Sequence, residues 1–132
     1  MLNKDLFLSK SQINDFDKII DSILNGGITP GTLGIENVGD IVSYLDRWDK
    51  NRNIKDPELK HAVFTVIKTL LDMDVVELMW KDSIVEEARL SPPHNEENIF
   101  NFLNEHWDKD DGSGLIITYL VSFKKKGQTW PQ

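Results

Sequence analysis

Apolar residues recur every three or four positions over several stretches of the chain, and this spacing is typical of amphipathic helices. The first such stretch predicts a helix over residues 9–25. Ser9 is its expected N-cap, because Ser9 and Gln12 have the spacing of a capping box. The sequence Asn25-Gly26-Gly27 is expected to end the helix with a left-handed residue.

Three further helices are predicted downstream. Apolar positions over 35–48 form a stripe with charged residues on the other face. Asp56 and Pro57 are suited to the N-cap and the first turn of a third helix, whose wide apolar face predicts the most buried helix of the domain. A fourth helix is expected to begin at Asn95, which is followed by two acids at the positive end of the helix dipole. The apolar residues of its inner face, of which Trp107 is the last, are expected to pack against the core.

Residues rich in β-branched and aromatic side chains predict the strands. One strand is expected over 75–80, and the strongest, expected to be central, over 115–123, followed by a turn at 124–127. For 82–90 the pattern leaves a strand and a helical turn equally open. The predicted fold class is therefore α+β, a single domain over 1–132 with about four helices and a small, mainly antiparallel C-terminal sheet.

Composition narrows the class of protein. The chain has 132 residues, of which 39% are hydrophobic and 28% charged, so a packed core is expected rather than disorder. It has no cysteine, which excludes disulfides, thiolate metal sites and a cysteine nucleophile. Because the sequence contains neither a signal-peptide pattern nor a long apolar run, we expect a cytoplasmic protein without membrane association.

The formal net charge of −7 is unevenly distributed. Residues 92–111 contain six acids against one lysine, which makes this stretch net −5. An acidic surface repels phosphate backbones, so no nucleic-acid partner is expected. The third helix followed by a strand and a possible second strand is also compatible with a winged-helix domain, but that helix offers only Lys60 and Lys68 as basic residues.

The acidic connection after the fourth helix resembles a calcium-binding loop at its start. Asp108, Asp110 and Gly112 have suggestive spacing, but the twelfth position, where a bidentate carboxylate is required, is Tyr119. An ordinary solvated turn is the better interpretation of this segment.

The three histidines do not form a predicted metal site. His94 and His106 are twelve positions apart and do not share a helical face, and His61 is expected to face solvent. Serine nucleophile elbows, phosphate-binding loops and dinucleotide fingerprints are absent from the sequence. We therefore expect no enzymatic activity, no metal and no cofactor.

Four tryptophans in 132 residues are more than a core of this size needs, and tryptophan is favoured at interface hot spots. Burial in the core is the simpler expectation for most of them. Trp48 and Trp107 lie at the C-terminal ends of their predicted helices beside charged residues, so these two are the candidates for partial exposure.

Small, acidic, cysteine-free α+β chains with several tryptophans and no catalytic motif resemble the bacterial immunity proteins that are paired with polymorphic or contact-dependent toxins. The resemblance is one of type and implies a protein partner, such as a basic toxin whose active site is occluded. The alternative is a bacterial intracellular protein of unassigned role that self-associates as a homo-oligomer. The predicted partner-binding patch, weighed against a merely solubilising face, consists of Glu96, Glu97, Glu105, Trp107, Asp108, Asp110 and Asp111.

Overall fold

The computed structural model describes residues 3–29, 32–46, 56–81, 87–90, 95–109 and 121–127, and the fold is given for this part of the chain. It consists of two short 3-10 helices, Lys4–Leu6 and Lys10–Gln12, followed in chain order by α1 Phe16–Asn25, α2 Val38–Asp46, α3 Pro57–Asp72, β1 Val76–Lys81, β2 Glu87–Leu90, α4 Glu96–Trp107 and β3 Val121–Lys125. The predicted α+β class, with about four helices and a small antiparallel sheet, is confirmed.

The single helix predicted over 9–25 is wrong in its first half. Ser9 precedes a 3-10 turn instead, in which the Gln12 side chain accepts a hydrogen bond from the Ser9 N–H at 2.8 Å. Asp15 then adopts a left-handed conformation with φ 54°, which interrupts any continuous helix. The buried side chain of Ile13 and the buried face of α1 therefore reach the core from two separate segments.

Helix α1 ends at Asn25, as predicted, but not through a left-handed residue, because Gly26 has φ −88°. Glycine is needed at this point for space: a Cβ on Gly26 would collide with the Ser22 carbonyl oxygen, and one on Gly34 would lie 2.7 Å from the same atom. The returning loop is held there by a 2.6 Å hydrogen bond from the Gly34 N–H to the Ile23 carbonyl. Close backbone contact thus fixes the loop against α1.

Helix α3 begins as its sequence predicts. The Asp56 side chain accepts a hydrogen bond from the Glu58 N–H at 2.9 Å, and Pro57 occupies the first turn. The prediction that this helix is the most buried is also confirmed, since eight of its residues are buried: Leu59, Ala62, Val63, Phe64, Thr65, Val66, Ile67 and Leu70. Helix α3 is the centre of the core.

Aromatic rings join α3 to α4 and to the N-terminal segment. The ring of Phe64, with 0% of its surface exposed, lies 5.7 Å from Phe100 and 5.7 Å from Trp107, the latter edge-on at 88°. Phe7 packs edge-on against the other side of Phe100 at 4.9 Å. Such pairs add stability beyond the area they bury, and they fix the position of α4 on α3.

The described sheet is antiparallel with the strand order β2-β1-β3. The strand predicted over 75–80 is confirmed within one residue, and the undecided segment 82–90 is a strand over Glu87–Leu90. Within the described residues the middle strand is β1, whereas the strand predicted over 115–123 had been expected to be central. Residues 115–120 lie outside the described part, and the described part of that strand, 121–125, pairs with β1.

Lys124 belongs to β3 rather than to the turn predicted at 124–127, and the turn occupies 126–127. The reason is a cross-strand ion pair: Lys124 lies opposite Glu77, with 2.7 Å between Nζ and the carboxylate, and only 9% of the lysine side chain is exposed. The Lys124 ammonium donates a hydrogen bond to Glu77 and lowers the pKa of that carboxyl below its ordinary value of 4.5, against the opposing effect of burial.

We expect the Phe64→Ala substitution to lower the free energy of unfolding by about 3–5 kcal/mol, because it opens a cavity between α3 and α4. Urea denaturation followed by circular dichroism measures the change. Met73→Ala is the control, since 45% of Met73 is exposed and its loss should cost under about 0.5 kcal/mol. Equal effects of the two substitutions would contradict the central position of α3.

The ion pair between Glu77 and Lys124 makes the stability of the fold depend on pH. Because the pKa of Glu77 is lower in the folded than in the unfolded chain, its ionised form stabilises the fold above pH 4.5, and this contribution is lost as the pH falls through the lowered pKa. Glu77→Gln should therefore be less stable than the original chain near neutral pH and equally stable in strong acid. Urea denaturation from about pH 7 to about pH 2.5 tests this. A difference that stays constant over the series would contradict it.

Candidate functional site

The predicted patch is centred on α4, which begins where its sequence predicts. The Asn95 side chain caps the helix by accepting a hydrogen bond from the Asn98 N–H at 2.9 Å, and Glu96 and Glu97 occupy the first turn. Ile99, Phe100, Leu103 and Trp107 face the core and are buried. On the opposite side of α4, Asn101, Glu105 and Asp108 are exposed and can contact another molecule.

Three carboxylates share that outward side. Glu97, Asn101, Glu105 and Asp108 follow one another at spacings of four, four and three residues, which places them along one line of a helix. Glu105 and Asp108 are exposed, Glu97 is partly exposed, and Asp108 continues the helical turn as C-cap. We call Glu97, Glu105 and Asp108 the acidic stripe.

Ion pairs with lysines are described for Glu105 and Asp108 within the part of the chain that the structure covers. Lys109 Nζ lies 3.6 Å from Glu105, and Lys60 Nζ lies 3.3 Å from Asp108. The carboxylates of both pairs are largely exposed, so each pair stabilises the fold by little and exchanges readily with other cations. The stripe thus keeps its negative character toward an approaching molecule.

Glu96, also part of the predicted patch, has a different role. Its carboxylate lies 3.0 Å from Lys68 Nζ, and the same ammonium bonds both oxygens of Asp72 at 3.0 Å. Burial alone would lower the pKa of Lys68, but the hydrogen bonds to Glu96 and Asp72 outweigh it and raise the pKa above its ordinary value. Lys68 is therefore charged at neutral pH, and Glu96 serves to tie α4 to α3.

The expected partial exposure of Trp107 is wrong. Only 2% of the residue is exposed, because its side chain lies on the inner face of α4 against the ring of Phe64. Among the described residues its Nε1 has no hydrogen-bond partner. The indole belongs to the core, so Trp107 is removed from the contact patch.

The remaining predicted residues of the patch, Asp110 and Asp111, lie outside the described residues, as does most of the calcium-loop-like segment 108–114. Nor are the side chains of Trp48, Trp80 and Trp130 described. The structure thus brings Glu97, Glu105 and Asp108 together and places Glu96 and Trp107 elsewhere.

Two of the three histidines are described. His61, expected to face solvent, is half-buried, and burial together with the neighbouring Lys60 lowers its pKa. His106 Nδ1 lies 2.9 Å from the Phe102 carbonyl oxygen, one turn earlier in α4. His94 is outside the described residues, and in the described ranges no three histidine or acidic side chains cluster as metal ligands would.

Sequence reasoning did not identify the lysines that pair with the acids of α4. Lys60 and Lys68 are eight residues apart and therefore lie on the same side of α3, facing α4. This spacing indicates two cations on one helix face, but only the packing of the helices reveals which acids they contact.

Comparison of the chain with known protein families, with curated proteins and with solved structures gives no match. Among the described helices, none is long and apolar enough to cross a membrane.

Because Glu96 bonds a lysine of α3, we expect Glu96→Gln to lower the free energy of unfolding by about 0.5–1 kcal/mol, through loss of the ion pair and of a favourable charge at the helix N-terminus. Glu105→Gln is the matched control on the same helix, and its effect should be smaller since its ion pair is longer and more exposed. Thermal unfolding measures both. Equal losses would contradict the division between Glu96 and the acidic stripe.

Proposed function

We propose that this chain is a protein-binding module, and specifically an immunity protein that neutralises a basic toxin by covering its active site. The observation that carries the proposal is the alignment of three carboxylates, Glu97, Glu105 and Asp108, along the side of α4 that faces away from the core. Such an arrangement suits the basic surface of a protein partner.

The rigidity of α4 favours a protein partner. The helix is anchored by Phe100, Leu103 and Trp107, which are at most 2% exposed, and by the Lys68–Glu96 ion pair. Its acids are therefore held in one geometry before a partner arrives, which lowers the entropic cost of binding. A twelve-residue helix is about 18 Å long, so its outer face supplies one part of the roughly 800 Å² that each partner buries in a standard interface.

Electrostatics supports a basic partner. The whole chain carries a net charge of −7, and its field attracts cations over a distance set by the salt concentration. On close approach, lysines or arginines of the partner can replace Lys109 and Lys60 at the exposed carboxylates of Glu105 and Asp108. The stripe should therefore act mainly on the rate of association.

The test begins with an affinity pull-down from the source cells at low salt, followed by binding kinetics with the protein recovered. The double variant Glu97→Lys with Glu105→Lys should slow association about tenfold at low ionic strength, and added salt should reduce the difference. Circular dichroism of each variant checks that it remains folded.

The matched control is the double variant Asp17→Lys with Asp21→Lys on the exposed side of α1. It changes the net charge by the same amount, and Asp17 lies in the first turn of its helix, as Glu97 does in α4. It should change the association rate much less. Equal slowing by both variants would show that net charge rather than the stripe matters. An unchanged association rate of the α4 variant would show that the acidic stripe does not contribute to binding.

A second readout separates inhibition from mere binding. Co-expression of the chain with the recovered partner should protect cells or abolish the partner's activity if the chain is an immunity protein, and the α4 variant should protect less well. Full activity of the partner in the complex would contradict inhibition. Recovery of the chain alone, with a dimer in sedimentation, would instead support the self-association alternative.

A further inference from the structure

A cleft of about 500 Å³ lies between the N-terminal segment and α3, and none of the acids of the stripe lines it. Phe7 and Leu8 form its apolar part, Thr65 and Thr69 of α3 line the facing wall, and Lys4 and Lys10 stand at its rim. Nothing in the sequence pattern indicated this cleft, because its two walls are about sixty residues apart in the chain.

The walls of this N-terminal cleft are fixed by hydrogen bonds and by packing. Thr65 Oγ1 accepts a hydrogen bond from the Leu8 N–H at 2.9 Å and itself lies 2.8 Å from the His61 carbonyl oxygen, to which it can donate. Phe7 is held edge-on against the buried ring of Phe100 at 4.9 Å. The cleft is therefore formed before any ligand enters, as ligand sites usually are.

Several lysines of the described residues form ion pairs, whereas the two at the rim of this cleft, like Lys18 of α1, form none. Lys60, Lys68, Lys109, Lys124 and Lys126 each form an ion pair with an acid. Within the described residues Lys4 and Lys10 form none, although Lys10 lies 5.9 Å above the ring of Phe16. Two lysines without an ion pair in the described ranges therefore lie beside the apolar part of the cleft.

One acid, Asp72, also lines the cleft; burial raises the pKa of its carboxyl, but hydrogen bonds with Glu96 and Lys68 and the nearby charges of Lys68 and Lys10 lower it overall. Both oxygens of its carboxylate are bonded to Lys68 Nζ at 3.0 Å, which offsets its charge locally. The positive charge available to a ligand therefore lies on Lys4 and Lys10, at the rim next to Phe7 and Leu8.

We propose that the N-terminal cleft binds a small anionic amphiphile, a molecule with a carboxylate or phosphate head on a short apolar chain. The head would contact the ammonium groups of Lys4 and Lys10, and the chain would cover Phe7 and Leu8. The size of the cleft favours a small molecule, since about 500 Å³ is typical of ligand pockets, whereas a protein partner needs a far larger contact surface. This site is independent of the acidic stripe and of the proposed function.

The experiment is a titration of the full chain with decanoate and, separately, with decyl phosphate, below their micelle concentrations, followed by NMR and calorimetry. Saturable shifts of the amide signals of Phe7, Leu8, Thr65 and Thr69 are expected, and acetate, which has the head without the chain, should not produce them. Saturation by decanoate alone would identify a carboxylate ligand, saturation by decyl phosphate alone a phosphate ligand, and each supports the site.

Variants test whether the two lysines recognise the head. Lys4→Gln and Lys10→Gln combined should weaken binding at least about fivefold, because two charge contacts are lost. Lys18→Gln is the matched control, since this lysine on α1 is exposed, forms no ion pair with any residue that the structure describes and does not line this cleft; it should leave the affinity unchanged. Shifts that fail to saturate or that centre elsewhere, or equal weakening by the control, would overturn the proposal.

Discussion

The structure depends on the burial of α3 on almost all of its sides. The ring of Phe64 in this helix packs against Phe100 and Trp107 of α4, and Phe7 of the N-terminal segment packs against Phe100. Thr65, one position further, bonds the backbone of that same segment. A helix with so much apolar surface is stable only when it is covered, and the elements that cover it are thereby positioned relative to one another.

The same packing divides the charges of the molecule into two groups. Lys60 and Lys68 lie on the side of α3 that faces α4. The ammonium group of Lys68 forms ion pairs with Asp72 of α3 and with Glu96 of α4, and this bridge links the two helices. The acids of this bridge contribute to the fold, whereas the largely exposed ion pairs of Glu105 and Asp108 contribute little to it. The carboxylates on the outward side of α4 are held in place by this core but are not needed to build it, which makes them suitable for contacts with a partner.

Local signals predicted much of this fold. Asp56-Pro57 and Asn95 begin α3 and α4 where their capping chemistry requires, and the β-rich segment after α3 is a strand. The helix over 9–25 was wrong because a single left-handed residue, Asp15, divides a sequence whose apolar spacing is continuous. The burial of Trp107, and the choice of acids that Lys60 and Lys68 contact, depend on how α3 and α4 pack together. The spacing of residues along the chain does not contain this information.

The most direct test of the central claim is carboxylate footprinting of the chain with and without the protein it retains from cells. Carbodiimide coupling to a small amine labels accessible carboxylates, and mass spectrometry of peptides gives the extent of labelling at each. If the acidic stripe is the contact surface, Glu97, Glu105 and Asp108 lose labelling in the complex while Asp17 and Asp21 on α1 keep it. Protection of the α1 acids, with the α4 acids labelled as fully as in the free chain, would contradict it.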